Sequence, residues 1–156
     1  MKSVLFVCTG NICRSPTAEG VAISMIAQRG LGDLITVDSA GTHGHHVGEA
    51  PDPRTRKAAE KRGYDLSRLR ARRLELRDFQ AFDLLLAMDA GHLEIMTRMC
   101  PEVYRPRLGL FMRYAREHAL DEVPDPYYGG ARGFEAVLDY CEDGVSGLLD
   151  ELAGAR

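Results

Sequence analysis

The chain has 156 residues, enough for one domain spanning residues 1–156 with a substantial core. Its 20 basic and 23 acidic side chains nearly cancel, so no bulk field for nucleic acid or an anionic membrane is expected. No apolar run reaches membrane-spanning length, and the N-terminus lacks the apolar stretch and small-residue cleavage site of a secretory signal.

The first element in chain order is an apolar run, Val4-Leu5-Phe6-Val7, which reads as a buried strand. It leads directly into Cys8-Thr9-Gly10-Asn11-Ile12-Cys13-Arg14-Ser15-Pro16. A loop between a strand end and a helix start turns backbone N–H groups inward and forms an anion cradle. A thiol inside such a cradle is drawn toward thiolate, the nucleophilic form. A guanidinium beside it can hold two phosphoryl oxygens in a planar fork, which a lysine cannot do. The segment therefore predicts Cys8 as a nucleophile and Arg14 as an anion clamp. Gly10 and Asn11 both tolerate the positive φ of a tight turn. Ser15 is expected as the N-cap and Pro16 as the first helical residue.

The helix that follows carries Ala18, Val21, Ala22, Met25 and Ile26 on one face and ends near Gly30. Ile35 to Ala40 reads as a second strand. A glycine- and histidine-rich loop runs from Thr42 to Pro51, and Asp52-Pro53 caps a helix that reaches about Gly63. The arginines at 68, 70, 72, 73 and 77 read as a solvated surface stretch. Leu84 to Met88 is a third buried strand, Ala90 to Cys100 a helix stopped by Pro101, and Arg105 to Leu110 a weaker strand. Turn residues mark residues 121–130 as a loop. Phe134, Val137, Leu138, Cys141, Val145, Leu148, Leu149 and Leu152 define a final helix, weakened by Gly144 and Gly147. Strands alternating with helices predict a doubly wound α/β sandwich with its site at the carboxyl ends of the strands. The cysteines at 8, 13, 100 and 141 show no Cys-x2-Cys pairing, which argues against structural zinc and for reduced, cytoplasmic thiols. Export without a signal peptide stays open.

Five motifs in order carry a resemblance: Cys8 to Pro16, Ser39-Ala40-Gly41-Thr42, Pro51-Asp52-Pro53-Arg54, Ala87-Met88-Asp89, and Asp125-Pro126-Tyr127-Tyr128-Gly129-Gly130. Together they resemble the low-molecular-weight protein tyrosine phosphatases over nearly the whole chain. The resemblance implies a four-stranded parallel sheet flanked by helices, and hydrolysis of phosphotyrosine or small aryl phosphates through a phosphocysteine. It implies no cofactor, no metal, and phosphotyrosine-containing proteins as partners, with no nucleic acid or membrane. It makes Cys8 the nucleophile, Arg14 the clamp and Asp125 the general acid. Thr9, Gly10, Asn11, Ile12, Cys13 and Ser15 become the phosphate loop, with Asn11 and Ser15 shaping it. Tyr127 and Tyr128 become walls of the substrate cleft. The residues agree: a leaving phenolate needs a proton, and Asp125 lies on a Pro- and Gly-flanked loop that can close over it.

The chain departs from the family twice. His45, in His43-Gly44-His45-His46, stands where the family usually carries a bulky aromatic, and there is no tryptophan at all. Leu69 stands where a histidine is usual, and reads as a packing change. The resemblance makes His45 a wall of the substrate cleft in place of that aromatic, and the histidine loop does not read as a metal site. Cys13 is either a small packing residue or, as the resemblance favours, a partner for a reversible disulfide with Cys8. Three rivals remain at this point. An arsenate reductase would need two more closely spaced cysteines, a silent phosphotyrosine-binding module would not need both Cys8 and Asp125, and a phosphocysteine carrier domain would have no use for Asp125.

Overall fold

Side chains alternate along β1 (Lys2–Cys8), and both of its faces are apolar. Val4, Phe6 and Cys8 enter one buried cluster, Leu5 and Val7 another. A strand buried on both faces belongs inside a sheet covered on both sides. The computed structural model, which describes residues 1–126 and 130–154, places it there. β2 (Ile35–Gly41) pairs with one edge of β1 and β3 (Leu84–Ala87) with the other, and β4 (Leu108–Leu110) lies beyond β3. Every pairing is parallel and the order is β2-β1-β3-β4, the four-stranded parallel sheet expected.

Three helices cover the Val4–Phe6 face: α1 (Arg14–Gln28), α2 (Pro53–Lys61) and α5 (Gly130–Gly154). Two cover the other: α3 (Leu76–Ala81), through Phe79, and α4 (Ala90–Met99), through Met96. The chain steps from β1 to β2 on one side and then returns to β3 on the other. The winding reverses at β1, and the crevice at that reversal, beyond the carboxyl ends of the strands, is where ligands bind in open α/β sheets. Cys8 is the last residue of β1.

Four local expectations change. Helix α1 begins at Arg14, with Cys13 as its cap and no side-chain cap bond. The Cys13 carbonyl accepts from both the amide and the hydroxyl of Thr17, which starts the helix before Ser15 and Pro16. The short helix α3 has too few turns to show a periodicity; it is fixed at its start by the Glu75 amide donating to the Asp78 carboxylate. The strand expected from Arg105 is confined to Leu108–Leu110, because Glu102–Arg107 forms a 3-10 helix containing Pro106, which has no N–H for a ladder. Gly144 and Gly147 do not merely weaken α5. An added Cβ at Gly144 would stand 2.4 Å from the Phe111 ring, and one at Gly147 only 1.9 Å from the Tyr114 carbonyl oxygen. These two positions let α5 close onto the 3-10 turn Phe111–Tyr114, and Phe111 packs edge-on against Phe6 of β1 at 5.5 Å.

Candidate active site

The turn after β1 hinges on Asn11, which takes the left-handed conformation with φ 59°. Gly10 does not need positive φ. It is small because the His46 imidazole lies 3.0 Å from where its Cβ would be. The early start of α1 leaves the Ser15 hydroxyl available, and it lies 3.0 Å from Cys8 Sγ. Asn11 Nδ2 donates to Ser15 Oγ at 2.8 Å and to Ser39 Oγ at 2.9 Å. Asn11 Oδ1 accepts the backbone N–H of Arg72 at 3.0 Å. Arg72 is therefore no part of a solvated stretch. Its guanidinium, half-buried, is pinned between Asp38 and Asp78, whereas Arg68, Arg70, Arg73 and Arg77 are exposed.

Arg14 is only 5 % exposed and is held from several sides. Nη1 donates to Asp89 Oδ2 at 2.9 Å and to the Val123 carbonyl at 3.1 Å. Nη2 lies 3.4 Å from His92 Nε2 and 3.9 Å from Asp125 Oδ2. Asp89 also caps α4 by accepting the His92 amide. Burial favours the neutral acid at Asp89, but the His92 amide and imidazole and the Arg14 guanidinium outweigh it and lower its pKa.

His92, 4 % exposed, has no counterpart among the residues expected from sequence. Its Nε2 lies 2.7 Å from Thr9 Oγ1 and faces Arg14, which can only donate, so Nε2 is the acceptor and the ring proton sits on Nδ1. Nδ1 is 3.1 Å from Asp89 Oδ1 without hydrogen-bond alignment, so that contact is electrostatic. Burial, reinforced by Arg14, pushes the His92 pKa down to about 4. A neutral imidazole is what the neighbouring guanidinium tolerates. Its one sequence signal is its place three residues after the cap Asp89.

Cys8, Thr9, Arg14 and Asp125 meet in a cavity of about 150 Å³ whose sides include Ile12, His45 and His46. His45 is one of the side chains around this cavity. It also stacks on His43, with ring centroids 5.7 Å apart. His46, beside it, is paired with Glu49 at 2.5 Å. Among the described residues no three His, Cys, Asp or Glu side chains gather as a metal would require. Asp125 sits at the edge of the cavity, with its side chain 45 % exposed. Tyr127 and Tyr128 lie outside the described residues. A larger hollow of about 660 Å³ opens beside α2, near Arg56, Tyr64 and Leu66, but has no cysteine in its lining. Cys13 lines the cleft too, as a free thiol whose pKa burial raises to about 11. Cys100 and Cys141 are buried in clusters on opposite faces of the sheet, so they do not form the adjacent pair that an arsenate relay needs.

Comparison with known proteins gives one answer. The family model described as low molecular weight phosphotyrosine protein phosphatase matches residues 3–156. A low molecular weight protein-tyrosine-phosphatase of Streptomyces coelicolor is 47% identical over 150 residues, covering 94% of this chain and 90% of that protein. The human low molecular weight phosphotyrosine protein phosphatase is 37% identical over 142 residues, 90% of this chain and 89% of that one. Among solved structures, a protein tyrosine phosphatase from Entamoeba histolytica superimposes with a TM-score of 0.96 at 38% identity, covering 99% of each chain. With this likeness along its whole length, the chain belongs to the low molecular weight phosphotyrosine protein phosphatase family.

Proposed function

We propose that the protein hydrolyses phosphotyrosine on proteins, and small aryl phosphates, through a phosphocysteine on Cys8. The observation that carries this reading is the meeting of Cys8 Sγ, the buried Arg14 guanidinium and the Asp125 carboxyl in one small cavity. Phosphoryl transfer asks for charge stabilisation and an in-line nucleophile. Arg14 and the turn from Thr9 to Cys13 receive the phosphoryl oxygens. Cys8 Sγ forms a bond to phosphorus as the bond to the tyrosine oxygen breaks, and Asp125 gives its proton to the departing phenolate. Asp125, now a carboxylate, takes a proton from a water molecule. That water attacks phosphorus, the S–P bond breaks, and inorganic phosphate leaves with Cys8 again a thiolate. Ile12, His45 and His46 border the entry and set which rings fit.

Two substitutions test the scheme together. Cys8→Ser is expected to abolish turnover while still binding phosphate analogues; residual activity of even a few per cent overturns the covalent route. Asp125→Asn is expected to lower kcat by roughly 10²–10⁴-fold for poor leaving groups. That loss should shrink as the leaving group becomes more acidic. A uniform loss across leaving groups would make Asp125 a loop-holding residue only.

A further inference from the structure

Beyond the rim of the cleft the surface changes sign. The chain as a whole carries slightly more acidic than basic side chains, 23 against 20. A hollow of about 420 Å³ between α2 and the start of α5 departs from that balance. Arg54, Lys57, Lys61 and Arg132 line it, and Glu135 is the one carboxylate among the described residues of its lining. Glu135 is already paired with Arg62 at 2.7 Å, and Arg54 with Asp52 at 3.0 Å. Lys57, Lys61 and Arg132 are exposed, and among the described residues none of the three forms an ion pair.

Arg54, Lys57 and Lys61 follow one another at spacings of three and four, so they share one face of α2. Like charges one turn apart repel and work against the helix, which an anion lying along them would relieve. The floor between the cations is apolar: Ala58 and Phe134 are buried there, and the Arg54 guanidinium lies 4.8 Å over the Phe134 ring. Such a floor takes the backbone and methylene stems of a peptide while the walls take its carboxylates.

The hollow opens from the candidate site. α2 starts at the cleft, where the Asp52 amide donates to the carbonyl of Ile12, a residue of the cavity wall. α5 starts there too: a Cβ at Gly133, next to Arg132, would stand 3.1 Å from the carbonyl oxygen of Pro126, the neighbour of Asp125. The three cations of α2 extend over about 10 Å of helix, a length that about three residues of extended peptide cover. We propose that this hollow is a docking groove for an acidic segment of the phosphoprotein substrate, a run of Asp or Glu a few residues from the phosphotyrosine. The role rests on the phosphotyrosine reading of the cavity. A phosphotyrosine in the cavity brings its own chain across the rim, and carboxylates on that chain meet Lys57, Lys61 and Arg132. These contacts are the same in the ground and transition states, so they act on KM and leave kcat.

The test compares phosphotyrosine peptides that differ only in carrying five Glu or five Gln, placed before the phosphotyrosine in one series and after it in another. Values of kcat/KM are measured for the wild type and for the double variant Lys57→Ala, Lys61→Ala. Both positions are exposed on a helix, where alanine is well tolerated. In the series whose chain runs toward the groove, the wild type should favour Glu over Gln roughly fivefold through KM, the size of two or three exposed ion pairs. That ratio should fall toward one in the double variant, and in the wild type at high salt. Equal rates for Glu and Gln peptides in both series, or a preference that survives the double variant, overturns the groove. Lysine-dependent sedimentation with phosphatidylserine vesicles would assign the cations to a membrane surface and overturn it as well. Peptides left unhydrolysed in both series would instead defeat the phosphotyrosine reading, and this role with it.

Discussion

Glu19 of α1, which accepts from Ser39 Oγ, and His92 stand on either side of the loop after β1, and burial moves both toward neutrality. Their effects on stability run in opposite directions. Glu19 is raised from 4.5 to about 7 in the folded chain, so between those values the folded state holds the extra proton and stability falls as pH rises. His92 is lowered from 6.5 to about 4, so between those values the unfolded state holds the extra proton and stability falls as pH drops. From about pH 4.5 to 6.5 the two slopes oppose, each amounting to at most about 1.4 kcal/mol per pH unit. His92→Asn should therefore uncover the Glu19 slope. Its urea midpoint is expected to fall from pH 4.5 to 6.5 relative to the wild type, and a variant that tracks the wild type across that window would mean that His92 is already charged in the fold.

At the scale of elements, α5 and the turn Phe111–Tyr114 form the tightest junction described. Gly147→Ala improves helix propensity by about 1 kcal/mol. The new methyl group must however displace the Tyr114 carbonyl, and packing strain of that kind costs about 1–3 kcal/mol or more. The clash is expected to win, lowering the thermal midpoint of unfolding; a more stable Gly147→Ala would show that α5 slides freely on this turn. What could be read in the sequence follows the same division between local and distant causes. β1 and β3 announce themselves as apolar runs, β2 as a short stretch stopped by Gly41, α1 and α5 by their periodicity, and α2 by its Asp52-Pro53 cap. The six residues of α3 and the three of β4 are too short to carry a pattern. In the candidate site, Cys8 and Arg14 are visible through the chemistry of their neighbours in sequence, and Asp125 through the family resemblance. Glu19 and His92 are not, because their partners lie far along the chain: Ser39 is 20 residues from Glu19, and Thr9 is 83 residues from His92. Arg72 misleads for the same reason, since Asp38, which holds it, comes 34 residues earlier.

The whole molecule gathers at one edge what the chain scatters. The reversal of winding at β1 brings the turns after β1 and β3 and the segment carrying Val123 and Asp125 around Arg14. Two carboxyl groups, Asp89 and Asp125, face that one guanidinium, and the His92 imidazole beside it is held neutral. The pocket is thus already slightly rich in negative charge before an anion arrives, and a dianion adds two more. Like charges at such distances are relieved by taking up a proton. Titration calorimetry with sulfate at neutral pH, where the ligand itself carries no proton, should give apparent binding heats that differ between buffers of different ionisation enthalpy, in the sense of uptake. Heats that are the same in every buffer would mean that Arg14 and the loop amides accommodate the dianion unaided. Anion capture by this protein would then be a proton-coupled event, and its affinity for a product or inhibitor would fall as the solution becomes more alkaline.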